Sequence, residues 1–274
     1  MSLPRLLKPF QPFNGAYIHD LVTDWYASEW GRKVLALEKS VLDQILPQMF
    51  GYYLLQTGLG RPQLLTESST IKHKFFAGEE LYTDAPMACI KSRVSELAID
   101  SDSIDVALIH HSLDFDSNPH KTLREISRTV MPGGKMIIVG FNPWSVWGFL
   151  RLFHGQTARV PWSGNFLSPY RVSDWLNLLD FQVEGCECVA HGIPNVSPKW
   201  SNSLRWLESL SKRWWSQGGA IYTLVATKRI ATVTPIKPAR RSAKSTLVAI
   251  PLPGIARPSS RNDKANQDSP DRLT

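Results

Sequence analysis

The chain has 274 residues, 43% of them hydrophobic and 20% charged, which excludes a wholly disordered or fibrous protein and allows one large domain or two small ones. Its net charge of +7 is uneven: residues 1–227 carry 21 basic and 21 acidic side chains, and residues 228–274 carry 10 and 3. A body-wide surface for nucleic-acid phosphates is thereby excluded, and the positive excess belongs to the tail.

In chain order, residues 1–22 are rich in Pro and aromatics and read as an irregular lead-in. Residues 23–47 read as one helix, with Trp30, Val34, Leu35, Val41, Leu42, Ile45 and Leu46 at spacings of three, four and seven, Thr23 as its cap and Pro47 as its stop. Such a helix could cover a sheet face or edge, or roof a ligand site. Tyr52–Gln56 is a short apolar run ending at Gly58-Leu59-Gly60, and Lys74–Ala77 and Met87–Ile90 are weaker strand candidates. Ile104–His110 reads as a buried strand, His120–Met131 as a helix, Pro132-Gly133-Gly134 as a sharp turn and Met136–Gly140 as the next strand. From Phe141 to Phe166 the pattern loosens and fills with Trp and Phe. A helix over Pro169–Leu179 capped by Ser168, a strand over Gln182–Val189, a helix over 199–215 and a strand over Ile221–Thr227 complete the body. From Lys228 the chain is rich in Pro, Ser, Arg and Lys and cannot bury enough apolar surface to order itself. The alternation of strands and helices predicts a parallel sheet covered on both faces.

Three cysteines do not make a disulfide framework, and Cys186 and Cys188 read as buried free thiols rather than metal ligands. The N-terminus leads into no apolar run of signal-peptide length. The longest uncharged stretch, Met136–Leu150, is too short to span a bilayer and is broken by Asn142-Pro143. These features predict a reduced, cytoplasmic protein without a transmembrane segment, with peripheral membrane contact as an option. No metal site is evident.

The run Ser95-Glu96-Leu97-Ala98-Ile99-Asp100 through Ile104-Asp105-Val106, then His110-His111-Ser112-Leu113-Asp114-Phe115, Asn118-Pro119-His120, Leu123–Arg128 and Pro132-Gly133-Gly134-Lys135 resembles the type-11 methyltransferase pattern. That family belongs to the class I S-adenosylmethionine-dependent methyltransferases. Residues 49–230 match the layout more loosely. The preceding helix, the Gly-Phe-Asn-Pro after the fifth strand and the basic tail look like an uncharacterised bacterial subgroup with a degenerate cofactor motif. The resemblance implies an α/β, Rossmann-like, mostly parallel sheet of seven strands with the last antiparallel. It implies a lead-in and packing helix at 1–48, a methyltransferase-like domain at 49–230 with an aromatic insertion at about 141–166, and a basic disordered tail at 231–274.

In such a fold the ligand lies beyond the carboxyl ends of the strands, where strand order reverses. The resemblance then places the cofactor, S-adenosylmethionine, against Gln56, Gly58 and Gly60, with Glu79 or Glu80 toward its ribose and Ser95 or Glu96 toward its adenine. Glu79 and Glu80 also read as a solvated pair, and Glu96 as a plain surface residue. Gln56 stands where the family carries an acid, a loss of roughly 1–3 kcal/mol of binding, and Arg61-Pro62 replace its small residues. His110 and His111 end the fourth strand near the reacting methyl. Neighbours on a strand face opposite ways, so at most one should point inward as a base, the alternative being a histidine bonded to backbone. Asp105 reads as structural, and Asp114 and Asp116 as caps. Asn142, Trp144 and Trp147 are candidates for the acceptor side; the aromatics there could equally fill a core or meet a lipid interface. The function implied is methyl transfer to an unidentified acceptor, with a small or apolar molecule favoured. The alternative is a catalytically decayed scaffold that binds partners through its aromatic surface or basic tail. The tail could meet RNA or anionic lipid.

Overall fold

In the computed structural model the described residues are 15–82, 85–154, 160–190 and 218–230. Seven strands form one sheet: β1 (Tyr53–Gly58), β2 (His73–Gly78), β3 (Ala88–Lys91), β4 (Ile104–His110), β5 (Val130–Phe141), β6 (Phe181–Val189) and β7 (Ile221–Lys228). Their order is β3-β2-β1-β4-β5-β7-β6. β1 to β5 pair in parallel, and β7 runs antiparallel to both β5 and β6. The seven-stranded sheet with one reversed strand, inserted last, is the one expected.

Both faces are covered, which is why the inner strands read as unbroken apolar runs. Leu54, Val106, Leu108 and Ile137 pack with Val34, Leu42 and Leu46 on one face. Their chain neighbours Leu55, Ala107, Ile109 and Ile138 pack with Leu123, Ile126, Val172 and Leu176 on the other. The covering helices are α1 (Gly15–Ala27), α2 (Glu29–Ile45), α3 (Pro119–Thr129), α4 (Val146–His154) and α5 (Pro169–Leu178). The expected caps hold at α5, where the Ser168 hydroxyl accepts from the Arg171 amide. At α3, Asn118 rather than an aspartate caps the helix, accepting from Lys121. Asp116 holds the cap itself, accepting from the Asn118 amide at 2.8 Å. Asp105 is structural, as read: its carboxylate accepts the Tyr52 and Tyr53 amides at 2.9 Å each, tying down the start of β1.

Four expectations need correction. The helix expected over 23–47 is two helices, and part of the supposed lead-in belongs to the first. Thr23 lies inside α1, and Ser28 caps α2 by accepting from the Gly31 amide. The helices meet so closely that a Cβ at Gly31 would lie 2.0 Å from the Trp25 carbonyl oxygen. The strand from Met136 begins earlier, because Val130 already pairs with Ile104 and residues 131–134 bulge out before pairing resumes at Lys135. The loose aromatic segment contains α4. The three cysteines are free, but Cys186 is exposed and Cys188 half-buried, because β6 is an edge strand. The helix expected over 199–215 and the basic tail lie outside the described residues. No helix among the described residues is long and apolar enough to cross a membrane.

Candidate active site

Strand order reverses between β1 and β4, and there Gly58 stands in register with His110. Around this point the sequence places three groups. The first is the loop after β1. Gln56 is buried; its Nε2 donates to the Gln63 carbonyl at 3.0 Å and so folds the loop back. Its Oε1 is buried with no hydrogen-bond partner, an acceptor left open beside the glycines. Gly60 has φ +71, a left-handed conformation that glycine tolerates best. A Cβ there would also lie 2.6 Å from Thr23 Oγ1, so α1 rests directly on this residue. The Gly60 amide donates to His19 Nδ1 at 3.0 Å and the Arg61 amide to Thr23 Oγ1 at 3.1 Å. Helix α1 roofs the loop.

The second group lies at the ends of β2 and β3. Glu79 directly follows β2 and is about half exposed, its carboxylate 4.0 Å from His19 Nε2. Glu80 accepts from the Tyr82 hydroxyl at 3.4 Å. Burial, then Glu80, push that phenol up to about 12. Ser95 is half-buried, and Glu96 is exposed and paired with Lys121 of α3. The structure thus gathers Gln56, Gly58, Gly60 and Glu79 at adjacent strand ends, and turns the Glu96 carboxylate to α3.

The third group is a buried charge cluster that sequence reading did not assemble. Glu38 of α2 is fully buried. Its two oxygens accept from His110 Nε2 and His111 Nε2, each at 2.9 Å. Both imidazoles therefore face α2, against the expectation that only one points inward. The reason is local: β4 ends at His110, and His111 has φ +53, so the alternation of a strand no longer applies. His111 Nδ1 donates to Asp114 Oδ2 at 2.8 Å, and the same oxygen accepts the Phe141 amide at 3.0 Å. Asp114 is thus a partner in the cluster and not a cap. The Phe141 ring stacks on His111 at 4.1 Å.

The two histidines differ in charge. Burial opposes the charged form of His111, but Glu38 and Asp114 outweigh it and raise the group to about 9. Burial likewise pushes Glu38 up, and the two imidazoles outweigh it and hold the carboxyl at about 2. For His110 burial prevails over the pull of Glu38, and its pKa lies below the ordinary histidine value. Burial raises Asp114, with His111 opposing. His111 is thus an imidazolium held between two carboxylates. His110 is neutral, with its proton on Nε2 toward Glu38 and the Tyr26 hydroxyl 3.3 Å away. Its Nδ1 carries the lone pair and has no hydrogen-bond partner among the described residues. Glu38, His110 and His111 also place ligand atoms within 4.8 Å of one another, close enough to chelate a cation, though those atoms already bond to one another.

Three residues sequence reading missed are thus His19, Tyr26 and Glu38. Only Glu38 left a signal, a carboxylate on the same helical stripe as Val34, Val41 and Leu42. On the acceptor side, Asn142 is buried: it donates to the Gly219 carbonyl at 2.9 Å and accepts the Trp144 amide at 3.0 Å. Trp147 is in the core, stacked 6.2 Å from Phe141. Trp144 and Phe149 are exposed.

The model of a methyltransferase domain matches residues 69–138. The uncharacterized protein YafS of Escherichia coli is 27% identical over 159 residues, 58% of this chain and 65% of that protein. The demethylmenaquinone methyltransferase of Chlamydia pneumoniae is 34% identical over 83 residues, 29% of this chain and 35% of that enzyme. The matches thus span less than two thirds of either relative. Among solved structures, the methyltransferase bound to the Trm112 activator from Haloferax volcanii superposes with TM-score 0.58 at 17% identity, over 78% of this chain and 99% of that one. A SAM-dependent methyltransferase from Thermotoga maritima gives 0.55 at 16% identity, over 76% and 99%. These structures share the fold. The expected Rossmann-like fold and the resemblance to a methyltransferase domain agree with these matches.

Proposed function

We propose that this chain, a class I methyltransferase by its sheet order and by the domain at residues 69–138, moves a methyl group from S-adenosylmethionine to an acceptor that gives up a proton to His110. The observation that carries this reading is the unpartnered Gln56 Oε1, buried beside the glycine loop where strand order reverses. The residues present fit the cofactor. Gln56 offers an acceptor for its ammonium end, Gly58 and Gly60 allow close approach, Glu79 at the end of β2 would meet the ribose, and half-buried Ser95 would face the adenine, the Glu96 carboxylate being held by Lys121. When bound, the cofactor supplies an electrophilic methyl on a sulfonium.

The chain's own part is placement and proton handling. His111 is charged at both nitrogens and cannot act as a base at neutral pH. His110 is neutral there, and Glu38 fixes its proton on Nε2 and leaves the Nδ1 lone pair to accept a proton. Beyond β5, exposed Trp144 offers an apolar or planar surface and Asn142 holds the turn that presents it, which favours a small or apolar acceptor.

Calorimetric titration of the purified chain with S-adenosylhomocysteine tests the reading. Saturable binding is expected, weakened by Gln56→Ala about fivefold, the worth of one hydrogen bond of about 1 kcal/mol. The absence of both binding heat and thermal stabilisation at millimolar ligand would refute the reading and leave a scaffold that works through other surfaces.

A further inference from the structure

We infer that His19, on a helix upstream of the matched domain, is a ligand-binding residue that with Glu79 grips one hydroxyl of a nucleoside ribose. The inference rests on the cofactor reading above and adds a residue to it. Because the Gly60 amide donates to His19 Nδ1 at 3.0 Å, that nitrogen must carry the lone pair and Nε2 the proton. The backbone of the glycine loop thus sets the tautomer and makes Nε2–H a fixed donor.

That donor lies 4.0 Å from Glu79 Oε2. The gap is too long for a hydrogen bond, yet it is the span of two bonds of about 2.8 Å that meet at one shared oxygen. Among the described residues nothing else bonds to Nε2 or to the Glu79 carboxylate. Glu80, by contrast, already accepts from Tyr82, which singles out Glu79 of the two acids. The imidazole is built into the wall at 4% exposure, while the carboxylate stands at the mouth at 47%. The Thr23 hydroxyl donates to the His19 carbonyl at 2.9 Å and accepts the Arg61 amide, so helix and loop hold the imidazole from both sides.

The pair selects its ligand by hydrogen-bond sense. A group between an N–H donor and a carboxylate must accept from one and donate to the other. A hydroxyl does both. A carboxylate or phosphate would face the Glu79 charge, and an ammonium has no lone pair for Nε2–H. Placed between the loop after β1 and the end of β2, the pair fits a sugar hydroxyl.

The test compares two ligands, S-adenosylhomocysteine and its analogue lacking the ribose 2′- and 3′-hydroxyls, by calorimetry on the full chain. His19→Ala is expected to weaken the first about tenfold and the second less than twofold. His19→Gln, which keeps an acceptor for Gly60 and a donor beyond it, should recover most of the loss; melting curves of both variants report whether α1 stays docked. Equal weakening of both ligands would mean that His19 only shapes the loop. Unchanged or tighter binding of the nucleoside would mean that α1 merely obstructs the site. Either result overturns the inference and leaves the cofactor reading standing. A wild-type chain that binds neither ligand overturns both.

Discussion

Replacing Glu38 by glutamine preserves the volume of the side chain and removes the one charge on the buried face of α2. Glu38 sits at about 2 against an ordinary 4.5, and His111 at about 9 against 6.5. Each displacement is worth about 3 kcal/mol. The two report the same charge pair and do not add. Both groups are fully buried, so solvent does not screen the interaction. Glu38→Gln should therefore cost about 3 kcal/mol near pH 6, the range found when one partner of a buried pair is removed.

The pH dependence carries the sharper test. The folded value of His111 lies above its unfolded value, so its contribution is complete below pH 6.5 and is lost as pH rises through 9. Glu38 is depressed, so its contribution is complete above pH 4.5 and is lost as pH falls through 2. On the acid side His110, lowered, and Asp114, raised, titrate as well. Above pH 7 His110 is neutral in both states, which makes the alkaline side the cleaner arm. Urea unfolding followed by tryptophan emission should show the wild type losing about 2 kcal/mol between pH 7 and 9. The Glu38→Gln chain should lose much less, with only Asp114 left to favour the imidazolium. A variant within about 1 kcal/mol of wild type at pH 6, or one with the same alkaline slope, would refute the charge assignment.

Gly60→Ala puts a Cβ against Thr23 and strains a left-handed residue; a stability loss of roughly 1–3 kcal/mol and faster amide exchange across α1 are expected in mass-spectrometric exchange. Asp105→Ala strips the Tyr52 and Tyr53 amides of their acceptor and should lower the urea midpoint by an amount equivalent to about 1–2 kcal/mol, with Asp105→Asn recovering part of it. On β6, Cys186 is exposed and Cys188 half-buried. Iodoacetamide should therefore alkylate Cys186 faster than Cys188 in the folded chain, a preference that unfolding in urea should remove.

The strands were legible because covering both faces of a sheet leaves a sequence mark. Ile104–His110 is apolar at almost every position since alternate residues enter different cores. Helices α3 and α5 were legible through Asn118-Pro119 and Ser168-Pro169 at their starts. Helix α1 was not, because what fixes it is the fit of its backbone onto Gly60, a contact 41 residues away from His19 in the chain. Helix α4 was hidden by the density of Trp and Phe, in which Trp147 is buried and Trp144 exposed. The pairing of both histidines with one carboxylate was unreadable for a different reason. Period-two reasoning holds only while the strand lasts, and the positive φ of His111 lies one residue beyond its end.

The helices ahead of β1 therefore do more than cover a face. Each strand end at the reversal point lacks something that they supply. The loop after β1 has amides to satisfy, and α1 offers His19 and Thr23. The end of β4 has two imidazoles in an apolar setting, and the two helices offer Tyr26 and Glu38. A carboxylate on the buried stripe of α2 would be costly alone, as would an imidazolium beneath Phe141. Each explains why the other is tolerated. The consequence reaches the chemistry, because the charge that holds His111 protonated also fixes the His110 proton on Nε2. The site is thus assembled from two stretches of one compact unit: residues 69–138, the stretch that matches the methyltransferase domain, carry Glu79, His110, His111 and Asp114, and helices α1 and α2 set the protons that the two histidines hold.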